Sequence, residues 1–406
     1  MRSGPRQLVI AAPLLRPALR YPVTLLFALQ YVGLAVVPAV INNNPYLPFV
    51  LSIAAVGLLA AFLAEWIVGA AAGHLVDAQA TRYPGMASVW VVTLIGGLAL
   101  LGAVLLGAGT YATLVGLTTA SPLTTLLTPL APWLIIGCGF ALASWRAGVL
   151  SRRSVIFLIT VALASQVVSG LWVAKLAAVM SVALSVAAGM ALAGFFRPRW
   201  LLVGFGVAII LWPTLYEARN AARGQIVASS VSQPSTLDAS SRLREDLLLQ
   251  QAALFGPLKL PQPSAIDIVR FGLIPRALDP GRGSLPGGTT LSVAVGSTSQ
   301  SSSTFTVLGT LWSLNGGFPG VILYVGCVAL AICIIARRLT PTRLALAMLL
   351  VNNLIWIEVT YPDNVAAALQ GLISLAIAWL LTLAIGTVRR GEAPGTVPAI
   401  RGVGHA

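Results

Sequence analysis

Three arginines recur at six-residue intervals in one polar segment of the chain, at Arg270, Arg276 and Arg282. Each guanidinium offers a planar fork of N–H donors that matches phosphate oxygens better than the ammonium of a lysine does. Prolines and glycines between 268 and 289 would stiffen the turns and let the backbone approach a ligand closely. The segment is therefore a candidate phosphate site, and contact with lipid headgroups is the alternative.

Other polar residues extend this segment into one long basic loop that runs from Arg219 to Ser303. Arg219 and Arg223 open the loop, and the hydroxyls of Ser301, Ser302 and Ser303 close it. Such a hydroxyl run could hydrogen-bond sugar hydroxyls or serve as a flexible linker. Because a basic loop on a membrane body attracts anions, we expect it to bind an anionic ligand at the membrane surface.

Carboxylates at the predicted outer ends of helices lie at the same level as Arg219. Glu217, Glu358 and Asp363 could ring a pocket there, or they could merely stop their helices at the interface. A carboxylate near the arginines could also act as a general base. The candidates for that base, which the sequence cannot rank, are Asp279, Glu217 and Glu358.

Metal and nucleotide chemistry find little support in the composition. The chain has two histidines, and neither is predicted on the side of the basic loop, which disfavours a histidine zinc site and a Ser-His protease. No Gly-rich loop is followed by a lysine, so a nucleotide-hydrolysing motor is disfavoured as well. The net charge of +14 is explained by turns facing anionic lipid, and we expect no nucleic-acid partner, no metal and no cofactor.

The overall composition is that of a membrane protein. Hydrophobic residues make up 57% of the chain and charged residues 9%, with a mean hydropathy of +0.90. Long apolar runs such as 55–72, which contains the single charge Glu65, and 91–108 approach the roughly 20 residues that a helix needs to cross a bilayer, whereas barrel strands would alternate. We therefore expect an all-α polytopic integral membrane protein.

Charges, prolines and asparagines bound about ten predicted transmembrane helices. Residues 1–218 would form an N-terminal bundle of about seven spans, and residues 219–303 one large extracytoplasmic loop between the seventh and eighth helices. Residues 304–390 would add about three spans after a short interfacial helix, and 391–406 a cytoplasmic tail. The stretch Gly109 to Pro122 could be an outer loop or part of a broken helix. The spans lie near 21–41, 47–71, 88–108, 122–144, 154–173, 176–195, 200–217, 317–336, 343–360 and 365–387.

Cations in the short turns predict which end of the bundle faces the cytoplasm. They fall on one side, while the short turns opposite carry only Lys175. Short cytoplasmic loops collect Lys and Arg, so both termini are expected in the cytoplasm and the basic loop outside, since long loops cross regardless of charge. The turn cations include Arg82, Arg146, Arg152, Arg153, Arg197, Arg199, Arg337, Arg338 and Arg343.

Local patterns predict how some spans pack and bend. Ala177, Ser181, Ser185, Gly189 and Ala193 recur every four residues, which lines one helix face with small side chains and lets a neighbour approach closely. Prolines should kink the fourth and seventh spans, because each removes a backbone donor. These prolines are Pro129, Pro132 and Pro213.

Three further features have more than one reading. Glu65 is a charge inside the second span, where it could pair with Arg82, reach the interface or take part in catalysis. Within the loop, Arg242 to Phe255 predicts a helix whose apolar stripe lies flat on the bilayer, with its charged residues elsewhere. The apolar piece Phe305 to Leu314 is too short to span and fits an interfacial or re-entrant helix.

Two stretches of the loop resemble a known family. The run Gly272 to Arg282, GLIPRALDPGR, followed by Gly287, resembles the I-P-R-x-x-x-P segment of bacterial oligosaccharide repeat-unit polymerases of the O-antigen-polymerase type. The run Ser301 to Leu323, SSSTFTVLGTLWSLNGGFPGVIL, is similar to the Ser/Thr run, short helix and glycine pair through which that family enters its next span. The resemblance implies a metal-independent membrane glycosyltransferase that joins polyprenyl-pyrophosphate-linked repeat units outside the bacterial cytoplasmic membrane.

That resemblance also implies roles for the residues. Arg276, with Arg270 next, would stabilise the charge that develops on the pyrophosphate leaving group, and Asp279, Glu217 or Glu358 would serve as the base. Where the family often has an aromatic residue before the proline, this chain has Asp279. Expected partners are the lipid-linked oligosaccharide, membrane lipid and other polysaccharide-export proteins. Substrate binding would fall to Arg282, Arg219, Arg223, Ser301, Ser302 and Ser303.

Transport is the competing class of function. A flippase or permease for an anionic lipid-linked glycan or solute would use the arginines as the mouth of a path between helices. Transporters usually place charges near the bilayer midplane and often consist of repeated halves. The predicted division of seven and three spans around the loop therefore favours an enzyme, and a glycan ligase is its near neighbour.

Overall fold

A computed structural model describes most of the chain. The described residues are 21–71, 82–109, 113, 119–173, 177–196, 199–227, 244–256, 263–274, 279, 285, 291, 293–294, 305–314, 317–337, 339–358 and 361–388. Within these ranges the side chains are described except at 70, 71, 199, 212, 216, 220, 222–227 and 388.

The described part of the chain is built from helices, with one short antiparallel pairing of β1 (Tyr83–Pro84) and β2 (Thr387–Val388). The helices before the basic loop are α1 (Pro22–Ile41), α2 (Leu47–Ala71), α3 (Met86–Leu105), α4 (Thr124–Arg146), α5 (Arg152–Val173), α6 (Ala177–Leu192) and α7 (Arg199–Val227). Those that follow are α8 (Glu245–Phe255), α9 (Ala265–Leu273), α10 (Thr306–Leu314), α11 (Phe318–Ala336), α12 (Pro341–Ile355) and α13 (Asp363–Ile385).

Length and composition identify the membrane helices among the described residues. Seven are long and apolar enough to cross a bilayer, namely α1 to α5, α11 and α13, and α7 makes an eighth if its bent halves count as one span. The apolar helices α6 and α12 are shorter. The expectation of an all-α polytopic membrane protein is confirmed. Each of the ten predicted spans overlaps a helix, but only seven or eight of the described helices are long and apolar enough to cross a bilayer.

Prolines distort the two helices in which kinks were expected. In α4 a 3₁₀ turn at Thr128–Leu130 contains Pro129, and the regular helix resumes at Trp133, directly after Pro132. In α7 the axis bends by 47° at the break before Pro213. A proline lacks the N–H that would continue the ladder, so both distortions have the predicted cause.

Small residues bring the helices of the bundle into close contact. Ser181, Ser185 and Gly189 are buried on α6, and the side chain of Met348 in α12 lies directly over Gly189. A Cβ on Gly139 of α4 would lie 2.6 Å from the Cα of Ala345 in α12. The predicted small-residue face of α6 is therefore a packing face, as expected.

Glu65 fixes the start of α1. Its carboxylate accepts hydrogen bonds from the backbone N–H of Val23 at 2.6 Å and of Thr24 at 3.0 Å, and from the Thr24 hydroxyl at 2.6 Å. The thiol of Cys333 in α11 lies 3.5 Å from Oε1. The suggested pairing with Arg82 is wrong, because the carboxylate caps the N terminus of the first helix instead.

Several turn cations lie together at one end of the bundle, here called the arginine-rich end. Arg146 donates to the carbonyl of Ala193 at 2.9 Å, Arg152 lies 5.0 Å over the ring of Phe195, and Arg337 donates to the carbonyl of Val68. The β1–β2 pairing lies at the same end, since Ser144 of α4 donates to the carbonyl of Pro84. The opposite end, where α8, α9 and α10 lie, is called the loop end.

Helix α7 continues beyond the predicted start of the large loop. It ends at Val227, so Arg219 and Arg223 belong to a helix and not to the loop assigned from 219 onward. The residues past 218 include several Ala, Arg and Gln, which have high helix propensity. Polar composition marked the end of the apolar span there, but it did not end the helix.

Candidate functional site

Buried polar residues meet at the loop end, where α1, α8, α10 and the turn after α12 come together. Each of these residues is exposed by 5% or less. So many polar groups in the interior of a membrane protein are costly unless they are bonded to one another or to a ligand. This loop-end cluster consists of Gln30, Tyr31, Asn44, Glu245, Asp246 and Thr306.

Gln30 connects α1 to the turn after α12. Its amide nitrogen donates to the carbonyl of Leu26 at 3.1 Å, and its amide oxygen accepts the backbone N–H of Ile357 at 2.8 Å. The carbonyl of Ile357 in turn accepts the N–H of Val307 at the start of α10 at 2.9 Å. Gln30 lies in a π-helical stretch, Ala28–Val36, and α12 also ends in one, Val351–Ile355. Such stretches occur often at functional sites.

Tyr31 joins α1 directly to α10. Its hydroxyl oxygen accepts the N–H of Leu308 at 3.2 Å and is also hydrogen-bonded to the Thr306 side chain. Thr306 has φ +66°, which is unusual for a β-branched residue, and its hydroxyl accepts the N–H of Gly309 at 3.1 Å. Backbone strain of about 1–3 kcal/mol is tolerated mainly where surrounding structure or function requires it.

Helix α8 brings two carboxylates into this cluster. Asp246 Oδ2 accepts hydrogen bonds from the amide of Asn44 at 2.7 Å and from Arg244 Nη2 at 2.9 Å. Glu245 is buried beside it in the same first turn, where the positive end of the helix dipole favours anions. The buried carboxylate of Asp246 is tolerated because it is bonded in this way. Since Glu245 and Asp246 are both buried, both acids face the protein interior.

The expected orientation of this helix is wrong. We expected an apolar stripe flat on the bilayer with the charged residues elsewhere, whereas Leu249 and Ala252 contact α10 at Gly309 and the buried face includes the two acids. The short helix α10 is present as expected, and all its residues except Trp312 are buried within the protein.

Helix α9 carries the first arginine of the predicted phosphate site and lies against α13. Its N terminus has a capping box, in which Ser264 Oγ accepts the Asp267 N–H at 3.1 Å and Asp267 Oδ2 accepts the Ser264 N–H at 3.0 Å. These bonds from Ser264 lower the pKa of Asp267. Gly272 packs on Leu369, and Gln370 of α13 donates to the carbonyl of Phe271 at 3.3 Å. The membrane body thus holds α9 in place.

Arg270 and Asp279, two predicted catalytic residues, are in contact. Arg270 Nε donates to Asp279 Oδ2 at 2.5 Å and Nη2 donates to Oδ1 at 2.6 Å, a bidentate pair. The hydrogen bonds and charge of Asp279 raise the pKa of Arg270, so the guanidinium stays charged. The Arg270 side chain is 47% exposed and that of Asp279 15%. In this arrangement Asp279 orients Arg270, whose outer edge faces solvent.

The other predicted site residues are dispersed or lie outside the described part of the chain. Arg219 is buried on α7, and Glu217 on the same helix is exposed. The backbone of Arg223 is helical. Glu358 is half-buried directly after Ile357, and Asp363 begins α13. Outside the described residues lie Arg276, Arg282, Ser301, Ser302 and Ser303, whose roles stay predictions.

Sequence reasoning missed Gln30, Tyr31 and Glu245. The first two are adjacent polar residues inside an otherwise apolar span, a signal that should have marked them. The sequence pattern predicts Glu245 away from the apolar stripe of its helix, because that stripe is defined by leucines and neighbouring apolar residues. Only the contacts of α8 with α1 and α10 show which of its faces is buried.

No family model, curated protein or solved structure matches the chain. Its function therefore has to be inferred from its own residues. The loop-end cluster and the Arg270–Asp279 pair are the two polar assemblies on which that inference rests.

Proposed function

We propose that the protein joins polyprenyl-diphosphate-linked oligosaccharide repeat units into a polysaccharide at its loop end. The observation that carries this proposal is the bidentate Arg270–Asp279 pair. It sets one arginine of the candidate phosphate segment in a defined orientation on α9, which packs on α13. A fixed guanidinium with an exposed edge suits a diphosphate approaching from the membrane surface.

The reaction needs stabilisation of negative charge on the leaving group. When the bond between the anomeric carbon and the diphosphate oxygen breaks, both bonding electrons leave with the diphosphate. Guanidinium groups placed there stabilise that charge, at about 1.5–3 kcal/mol for each charged hydrogen bond. Arg270 is one donor, and Arg276 and Arg282 are the further donors that the resemblance suggests.

The charge distribution supports the orientation of the protein. The arginine-rich end carries Arg146, Arg152 and Arg337, and short cytoplasmic turns collect such residues. The proposal accordingly places both termini in the cytoplasm of a bacterium, the loop end outside the cytoplasmic membrane, and about ten spans around one large extracytoplasmic loop. Lipid-linked repeat units would then be joined on the outer side.

Reconstitution tests the proposal. Purified protein in proteoliposomes receives lipid-diphosphate oligosaccharide extracted from the host, and the products are separated by length. We expect a ladder of chains longer than one repeat unit, and little or no ladder with Arg270→Ala. The matched control is Arg153→Ala, which removes an exposed arginine at the other end of the bundle and should leave the ladder unchanged.

Other outcomes would replace the proposal. Movement of the lipid-linked unit across the vesicle without bond formation would identify a transporter. Transfer of a preformed chain to a different acceptor, with no growth from single units, would identify a ligase. An unchanged ladder with Arg270→Ala would remove Arg270 from the site.

A further inference from the structure

Helix α10 has a face made of hydroxyls. Thr306, Thr310 and Ser313 are spaced at i, i+4 and i+7, so they lie along one side of the helix. Thr310 is 0% exposed and Ser313 is 1% exposed. Neither the Thr310 nor the Ser313 hydroxyl has a hydrogen-bond partner among the described residues. Two buried hydroxyls on one short helix thus have no partner in the part of the chain that the structure describes.

Among the described residues, the unbonded hydroxyls of Thr310 and Ser313 differ from most hydroxyls in the other helices. In other described helices, many hydroxyls bond to a backbone carbonyl three or four residues earlier in the chain, and some bond to a carbonyl of another element. Leaving a buried hydroxyl unbonded costs about 1–3 kcal/mol, so a pair of them calls for an explanation such as a ligand. The hydroxyls that do bond in this way include Ser52, Thr93, Thr128, Ser165, Ser185 and Thr382.

Glu245 lies on the face of α8 that meets this helix. Glu245, Leu249 and Ala252 are spaced at i, i+4 and i+7 and are all buried. A Cβ on Gly309 would lie 3.1 Å from the Leu249 side chain, and Phe255 stacks on Phe305 with ring centroids 6.3 Å apart. The helices α8 and α10 therefore run in opposite directions. Glu245 lies one turn before Leu249 on α8, which places it toward the level of Ser313, one turn after Gly309 on α10.

We propose that the hydroxyl face of α10 binds the acceptor sugar and that Glu245 takes the proton of its attacking hydroxyl. This inference rests on the proposed function. The acceptor oxygen forms a bond to the anomeric carbon, the bond from that carbon to the diphosphate breaks with its electrons, and the hydroxyl proton passes to the Glu245 carboxylate and then to water. Threonine and serine hydroxyls both donate and accept, as sugar hydroxyls do.

In this proposal α8 controls access to the site. The hydroxyls are closed off from solvent in this state, and α8 lies over their edge at Gly309, a residue without a side chain. The helix is held by the bonds of Asp246 to Asn44 and Arg244. The acceptor sugar enters when α8 shifts away from α10.

The double variant Thr310→Val and Ser313→Ala tests the binding role. The donor is host lipid-diphosphate oligosaccharide, and the acceptor is the oligosaccharide released from it by mild acid. We expect the KM for acceptor to rise by at least about tenfold, because a site built for hydroxyls loses its partners. The KM for donor should not change, and the Tm should not fall, because neither hydroxyl has a hydrogen bond to another described residue that the change could remove.

The matched control is Thr382→Val with Ser185→Ala. These residues are also buried, but each hydroxyl bonds to a backbone carbonyl, so the KM for acceptor should stay at the wild-type value. Glu245→Gln keeps the shape of the side chain but removes the base. We expect kcat to fall by about a hundredfold and the acidic limb of the pH profile of kcat/KM to disappear.

The results separate this inference from the proposed function. Wild-type acceptor KM in the double variant, or a lowered Tm, would assign the α10 hydroxyls a structural role. A wild-type acidic limb in Glu245→Gln would exclude it as the base. If the wild-type protein polymerises and all these variants behave like the wild type, the acceptor-site inference is wrong but the proposed function stands. If the wild-type protein makes no polymer, both the inference and the proposed function are wrong.

Discussion

The backbone N–H of Leu308 donates to the Tyr31 hydroxyl at 3.2 Å, across 277 positions of the chain. This bond fixes the start of α10 against the π-helical stretch of α1. Because both groups are buried, the N–H has no water to replace the phenol as its acceptor. The Tyr31 hydroxyl therefore holds the loop-end cluster together.

Tyr31→Phe should destabilise the protein by about 1–3 kcal/mol, since it keeps the ring and leaves a buried N–H unbonded. Thermal unfolding of the purified protein in detergent measures the effect. The control is Tyr46→Phe, because Tyr46 is only half-buried and its hydroxyl makes no hydrogen bond to another described residue. Equal melting temperatures for the two variants would show that the bond adds nothing.

Glu65→Gln should also destabilise the protein, by about 2 kcal/mol or more, because the carboxylate is the cap of α1 and accepts from two backbone N–H groups. The same unfolding assay applies. The control is Ser52→Ala, at an exposed position of α2, the helix that carries Glu65, and it should have little effect on stability. A Glu65→Gln protein as stable as the wild type would contradict the capping role.

Two glycines in apolar helices should respond in opposite ways to alanine. Gly139→Ala introduces a Cβ that clashes with the backbone of Ala345 and should cost about 1–3 kcal/mol. Gly326→Ala meets no atom within 4 Å and should be neutral or stabilising, because alanine favours the helix. Both variants are compared by the amount of folded protein recovered after heating. Similar losses in the two would refute the packing of α4 on α12.

The sidedness of the bundle can be read by thiol labelling. In a variant without the three natural cysteines, Ile266→Cys on α9 should react with an impermeant reagent in intact cells, since Ile266 is 78% exposed at the loop end. Ser151→Cys, an exposed site at the arginine-rich end, should react only after the cells are opened. If Ser151→Cys is labelled in intact cells and Ile266→Cys is not, the orientation of the protein in the membrane is the opposite of the one proposed.

Hydropathy located the apolar helices well because apolar length is a local property of the sequence, although α6 and α12 are shorter than a full membrane span. Each span needs about 20 apolar residues, and charges and prolines show where it ends. The end of α7 was missed because the predicted loop began where polar residues begin, although Arg219 to Val227 remain helical. Polarity ends a membrane crossing but does not end a helix.

The site was harder to predict because it depends on which elements touch. Arg270 and Asp279 were both chosen from their chemistry, yet their pairing depends on the path of the chain between them. The burial of Asp246 could not be predicted, because its hydrogen bond to Asn44 joins positions 202 apart in the chain. Thr310 and Ser313 became notable only when their burial and lack of partners were known.

The central claim, that guanidinium groups of the basic loop act on a lipid diphosphate, is tested most directly by Arg276→Ala in the host. The measurement is the length distribution of the surface glycans, together with the abundance of the protein in the membrane. We expect normal abundance and glycans that stop at one repeat unit, as in a deletion strain. Chains of wild-type length in the Arg276→Ala strain would contradict the claim.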